Sequence, residues 1–349
     1  MSAAPEFLIA PVHDVALADR IAQRIDRKTK PPGSLGRLES LALQLGLIQG
    51  TETPRVAAPH LLVFAADHGI VAEGVSAYPQ DVTWQMVMNY LDGGAAINLF
   101  ARGGGLALQV IDAGVNHSFA PHPDLIDSKI AHGTRNFARE AAMSGEECAR
   151  ALAAGAALAG AAVARGATLI AFGEMGIGNS ASAAALMARF TGLAPAACVG
   201  RGAGLSDAGL AHKTRVIRRA LALHARATAA MDVLATLGGF EIAMIAGAML
   251  AAAEARMVIV VDGFIVGAAL LAARALDPAV LDYCVFAHGS DERGHAAMLD
   301  HLGATPLLDL GMRLGEGSGA ALAVPLVRAA ADFLCDMASF ESAGITDRR

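Results

Sequence analysis

The residue best suited to acid–base chemistry in this chain is Glu316. It stands in Arg313-Leu314-Gly315-Glu316-Gly317-Ser318-Gly319, with glycine on either side and a long helical pattern behind it. Flanking glycines let backbone approach a ligand closely. A carboxylate held there near an apolar wall has a raised pKa and can act as a general base. The same spacing suits a plainer role, in which the charge stabilises the N-terminus of the next helix and Ser318 caps it.

Other segments share this glycine-and-acid character. They are Asp67-His68-Gly69, Asp112-Ala113-Gly114, Gly173 to Asn179, Gly200 to Gly204, Asp262-Gly263-Phe264 and His288-Gly289-Ser290. Gly176, Gly178 and Asn179 precede a helical pattern over residues 180 to 188, and a helix N-terminus offers N–H groups and partial positive charge to an anion. Gly202 and Gly204 could do the same, with Lys213 as counter-charge about one helix later. Each loop alone is equally consistent with a tight turn. The spacing Gly173-x-x-Gly176-x-Gly178 is not a dinucleotide fingerprint, and neither a P-loop nor a G-x-S-x-G nucleophile elbow occurs. His288 and His295, with Asp291 and Glu292 between them, have no zinc-ligand spacing. The site is therefore expected to need neither metal nor cofactor.

The elements that must position these loops are legible as apolar runs. Six read as buried strands: His60 to Ala66, Leu106 to Ile111, Ala167 to Phe172, Ala196 to Gly200, Met257 to Val261 and Tyr283 to Ala287. Continuous apolar strands alternating with helices predict an α/β fold with a parallel sheet covered on both faces. Ligands of such sheets bind beyond the carboxyl ends of the strands, where these loops fall. Residues 306 to 310 are expected to add a short edge element. The ends of the chain read as helix. Asp14 to Lys28 has Asp14 as N-cap, Ser34 to Leu47 repeats leucine at helical spacing, and Gly319 to Phe340 is one long pattern, with Pro31 and Pro32 breaking the first two apart. The expected division is a small helical lobe from residues 1–50 and 320–349 beside a large α/β domain of residues 51–319.

Composition narrows the function classes. The chain has 349 residues, 54% hydrophobic and 17% charged, with a net charge of −6 and no basic stripe for nucleic acid. Its longest charge-free stretches, residues 151–164 and 175–188, are rich in Ala, Gly and Ser and shorter than the roughly 20 apolar residues of a membrane span. No secretory signal is visible at the N-terminus. Cys148, Cys198, Cys284 and Cys335 are far apart and read as small buried hydrophobes in a reducing cytosol. A nucleotide-dependent oxidoreductase and a non-catalytic nucleotide-binding regulator remain as rival readings. The first lacks its fingerprint, and the second would tolerate loss of Glu316.

Seven segments in order resemble the nicotinate-nucleotide–dimethylbenzimidazole phosphoribosyltransferase family. They are Lys30 to Glu39, Ala65 to Gly69, Gly173 to Asn179, Gly200 to Gly202, Gly238 to Ile242, Val261 to Phe264 and Gly311 to Gly319, spread over about residues 20 to 340. The resemblance implies a cytoplasmic homodimer with a Rossmann-like parallel sheet and a small lobe built from both termini. It implies transfer of phosphoribose from nicotinate mononucleotide to a benzimidazole base, a step in assembling the lower ligand of cobalamin. The family's catalytic glutamate falls on Glu316, and its other implicated acid and lysine on Glu174 and Lys213. Gly176, Gly178, Asn179, Gly202, Gly204 and Ser290 are then expected to hold the phosphate and ribose. Tyr78, Gln85, Met86 and Leu314 are expected to face the base. Relatives carry serine before the proline and glutamine on the following helix, where this chain has Tyr78 and Met86. That departure bears on which base is used more than on the reaction.

Overall fold

The computed structural model describes residues 6–346. Its centre is one six-stranded sheet in the order β3-β2-β1-β4-β5-β6, with every neighbouring pair parallel. The strands are β1 His60–Ala66, β2 Ala107–Gly114, β3 Leu125–Asp127, β4 Leu169–Met175, β5 Val258–Val261 and β6 Cys284–Phe286. β1 and β5 are buried along their whole length. That fits their apolar sequences, unbroken after His60, since strands covered on both faces have no solvent side to alternate with.

Two helical layers provide the cover. Phe240–Glu254 lies across four strands and packs on Gly145–Ala164 and Phe264–Leu276. The contact with Gly145–Ala164 depends on reciprocal glycines. A Cβ on Gly155 would stand 1.8 Å from the Met244 carbonyl oxygen, and one on Gly247 would stand 2.0 Å from that of Leu152. The other layer is Ser318–Asp336, which packs on β4, β5, Arg37–Gln49 and Ala96–Gly104. Gly145–Ala164 and Ser318–Asp336 are long and apolar enough to cross a membrane by length and composition. Their apolar faces meet these protein neighbours, as those of core helices do.

The two ends of the chain touch. Val15–Asp26, capped by Asp14 accepting from the Leu17 N–H, packs on Arg37–Gln49. Lys28 pairs with Ser339, and the Phe340 N–H donates to the Arg27 carbonyl. Between the first two helices the Lys30–Glu39 ion pair, 2.8 Å long, closes the proline turn.

Three strand expectations change. Residues 196–200 are not a strand: Pro195–Cys198 is a short helix with proline in its first turn, packed on Asn179–Thr191 and Asp207–Leu223. The run is apolar because it is buried beneath helices. β3 was missed because it has only three residues, none of them buried. β2 continues through Asp112 to Gly114, so these residues belong to the sheet rather than to a loop. Leu308 forms a single parallel bridge with His288 at the expected edge position.

Candidate active site

The strand order reverses direction between β1 and β4, the place where sheets of this kind open a crevice at their carboxyl ends. A cavity of about 500 Å³ lies there. Its walls come from residues 75–86, the end of β4 with the turn that follows, the 201–205 loop, the end of β5, the loop after β6, and residues 313–316. Asp67, His68 and Asp112 to Gly114 do not line it, so four of the six expected loops compose the site rather than all six. Asp112 has a structural role instead, accepting from the Val115 N–H and pairing with Lys129 at 2.7 Å.

At the sheet end of the cavity are three buried carboxyls, Glu174, Asp262 and Glu316. Glu316 sits between Gly315 and Gly317, and all three have left-handed backbone, Glu316 at φ +63°. That conformation is uncommon for a residue with a Cβ. The run is pressed onto β4: a Cβ on Gly173 would lie 2.1 Å from the Glu316 carbonyl oxygen, and one on Gly315 would lie 2.4 Å from Glu174 Oε1. Glu316 Oε2 is buried with no hydrogen-bond partner. Burial pushes the Glu316 carboxyl above its ordinary range and Asp262 adds to this, while Tyr90 and the Ile97 backbone hold it down.

Of the neighbouring acids, Glu174 keeps its proton at neutral pH. Glu174 is pushed up to about 8 by burial and by the charges of Glu241, Asp262 and Glu316, against an opposing hydrogen bond from Asn179. Asp262, raised to about 6 by burial, accepts from the Ala320 N–H at 2.8 Å and so caps the Ser318–Asp336 helix. The sequence offered that helix-end charge to Glu316 and the cap to Ser318; here Asp262 supplies the charge, and the N-cap position is Gly317. Behind Glu174, His68 Nε2 lies 2.6 Å from Glu241 Oε1, both side chains fully buried. The proton on Glu174 spares Glu316 one neighbouring negative charge.

Toward the other end, Gly176, Gly178 and Asn179 line the cavity at the start of Asn179–Thr191. Gly178 caps that helix without a side-chain acceptor; the Asn179 and Ala181 N–H groups donate to the Gly176 and Gly178 carbonyls, each at 3.0 Å, which leaves the Ser180 N–H for a ligand. Gly202 and Ser290 also line the cavity, but Gly204 does not. Ser290 is held by its N–H, which donates to His295 Nδ1 at 2.8 Å. Burial drives His295 down to about 4, so it stays neutral and can accept. Lys213 is fully buried behind the wall rather than in it. Its Nζ donates to Ser180 Oγ at 2.8 Å and lies 3.4 Å from the Gly200 carbonyl, and burial lowers it to about 8. It can act on a ligand only through Ser180 and the loop. Among the described residues no group of three or more His, Cys, Asp or Glu is arranged to hold a metal.

The remaining wall is apolar, from Val75, Val82, Ile177, Tyr78, Met86 and Leu314. Tyr78 and Leu314 are about half exposed. Gln85 points away: on Val82–Leu91 it is exposed and outside the cavity, one position round from Met86. Four further residues matter that the sequence reading did not single out for the site: Asp262 as a side chain, Glu292, Arg313 and Tyr90. The first three line the cavity. Their position in motifs already noted was the available signal. Tyr90, seven residues after Thr83 on one helix face, had none.

Comparison with known proteins gives a consistent result. The family model DBI_PRT, described as Phosphoribosyltransferase, matches residues 10–345. The nicotinate-nucleotide–dimethylbenzimidazole phosphoribosyltransferase of Aromatoleum aromaticum is 59% identical over 335 residues, 96% of this chain and 97% of that protein. The protein of the same name from Cupriavidus necator is 60% identical, with 97% of each chain covered. Among solved structures, CobT from Thermus thermophilus superimposes with a TM-score of 0.92 at 47% identity, covering 95% of this chain and 100% of that one.

Proposed function

The chain belongs to this phosphoribosyltransferase family, and we infer that it transfers the phosphoribosyl group of nicotinate mononucleotide to 5,6-dimethylbenzimidazole or a related base. The products are α-ribazole 5′-phosphate and nicotinate, and the step belongs to cobalamin lower-ligand assembly. The observation that carries the mechanism is Glu316, a buried carboxyl whose Oε2 has no hydrogen-bond partner, in a cavity with an apolar wall at one side and a helix N-terminus at another.

The chemistry asks little more of the chain. A benzimidazole nitrogen attacks the anomeric carbon as the bond to the pyridinium nitrogen breaks. The bonding pair returns to that nitrogen and neutralises it, so the leaving group needs no metal. The attacking base loses its N–H proton, which Glu316 accepts. Glu174, protonated at neutral pH, keeps a second negative charge away from Glu316. The apolar wall with Tyr78, Met86 and Leu314 receives the aromatic base by contact. The Asn179–Thr191 N-terminus, Gly202 and Ser290 face the phosphoribose. We also infer a cytoplasmic homodimer whose terminal helices form a small lobe beside the α/β domain, from the resemblance of the chain to its relatives.

The test is direct. Purified protein with nicotinate mononucleotide and a panel of benzimidazoles, resolved by chromatography, should give released nicotinate and a new nucleotide in equal amounts. Glu316→Gln should keep the fold and substrate binding and lose roughly 10² to 10⁴ in turnover. A variant within about threefold of wild type ends the assignment of Glu316 as the base.

A further inference from the structure

The 200–204 loop, expected to cradle a phosphate, is already wrapped around an anion. Glu292 Oε1 accepts from the Gly202 N–H at 3.2 Å. Gly200 is packed so closely on this carboxylate that a Cβ there would lie 1.8 Å from the same oxygen. Lys213 is stabilised in its charged form by Glu292. The Glu292 backbone N–H is itself tied to Ser290 Oγ at 3.4 Å. Glu292 is thus a fixed part of the cavity wall, held by a backbone amide and within the field of the buried Lys213. Its other oxygen, Oε2, has no hydrogen-bond partner among the described residues.

We propose that Glu292 is the sugar-reading residue of this site, its free oxygen accepting the vicinal hydroxyls of the ribose. The reasoning rests on charge and on what remains unpaired. A carboxylate this firmly anchored repels a phosphate, so the phosphate must be held by other groups. The Ser180 N–H at the start of Asn179–Thr191 and the Arg313 guanidinium on the same wall supply them, while Arg201 is taken up by Asp207 and the Leu205 carbonyl. A carboxylate attracts neutral hydroxyl donors, and it has two oxygens of acceptor capacity where Gly202 takes one. The nucleotide brings one such pair of donors, the 2′- and 3′-hydroxyls. The role of Gly202 is accordingly to hold Glu292 in place rather than to hold the phosphate, and Lys213 sets the electrostatic balance from behind.

The proposal rests on the transferase reading, and the experiment separates the two. Rates are measured for wild type, Glu292→Gln and Glu292→Asp with nicotinate mononucleotide and with its 2′-deoxy and 3′-deoxy analogues, at a fixed excess of 5,6-dimethylbenzimidazole. Wild type should prefer the ribonucleotide by about 10- to 100-fold in kcat/KM, the size expected for hydrogen bonds to a charged acceptor. Glu292→Gln should lose most of that preference, slowing the ribonucleotide most and each deoxy analogue, which keeps one of the two hydroxyls, less, mainly through KM. Glu292→Asp should recover part of it. No turnover of nicotinate mononucleotide by wild type defeats the transferase reading. Turnover by wild type with equal use of the deoxy analogues defeats the role of Glu292 whether or not the variants fold. Equal losses on all three substrates make Glu292 purely structural. Tighter binding of nicotinate mononucleotide by Glu292→Gln makes it a competitor for the phosphate. Either of these last outcomes overturns the proposal.

Discussion

Glu174→Gln should make this protein more stable, and only above a definite pH. Glu174 is deeply buried, and burial together with Glu241, Asp262 and Glu316 raises its carboxyl from 4.5 to about 8. In the unfolded chain it ionises near its ordinary value. As pH rises from about 4.5 the unfolded state releases this proton while the folded state retains it, so stability falls until about pH 8 and then levels off. At about 1.4 kcal/mol per unit, the gap is worth about 5 kcal/mol at most, because nearby carboxyls share the load. Unfolding entropy of about 2.1 cal/mol/K per residue over 349 residues converts that to roughly 7 °C in Tm. Glutamine has the shape of the protonated acid, and its side-chain oxygen can still accept from Asn179. Melting curves of wild type and Glu174→Gln from pH 4.5 to 9 should therefore lie close together at the acid end and separate by several degrees at the alkaline end, the variant melting higher. A separation that stays constant with pH, or that grows toward acid, would refute the reasoning about the buried proton.

Three other perturbations follow from the same geometry. Tyr90→Phe removes a group that holds the Glu316 carboxyl down, so the acid limb of kcat/KM should shift to higher pH with activity recovered on the alkaline side; an unshifted limb would place Tyr90 outside the proton chemistry. Lys213→Ala empties a buried charge site behind Ser180 and Glu292, and should raise the KM for nicotinate mononucleotide about tenfold or more while leaving the KM for the base within twofold; equal effects on both substrates would make it a general prop of the fold. Met86→Gln and Tyr78→Ser should reorder the preference among benzimidazoles by about 10-fold or more in competition assays, with Gln85→Ala as the exposed control that leaves the order alone; an unchanged order in both wall variants would show that this segment does not select the base.

Much of the sheet was legible because a strand covered on both faces has to be apolar, and β5 and β6 are so throughout, β1 after His60 and β4 as far as Glu174. The same rule misled at residues 196–200, where a short helix under two others has the same need for apolar side chains. It was blind to β3, which is too short and too open to need them. At the site, glycine-flanked Glu316 and the 176–179 turn were readable because tight backbone geometry demands particular residue types. Gln85 was misplaced because one position on a helix turns a side chain by about 100°. Glu292 could not be ranked, since its role depends on meeting Gly200 and Gly202, about 90 residues earlier in the chain, and no local pattern records that meeting.

Glu316 combines an unfavourable backbone region, a buried acid and an oxygen without a partner. Each lowers stability by about 1 kcal/mol or more. Glycine at 316 would relieve all three. A library of this chain sorted only for survival of heating should accordingly enrich substitutions at 316, and with them inactive protein. Directed evolution toward a heat-resistant form has to impose turnover at every round, because a position improved by heat selection is the one proposed to take the proton.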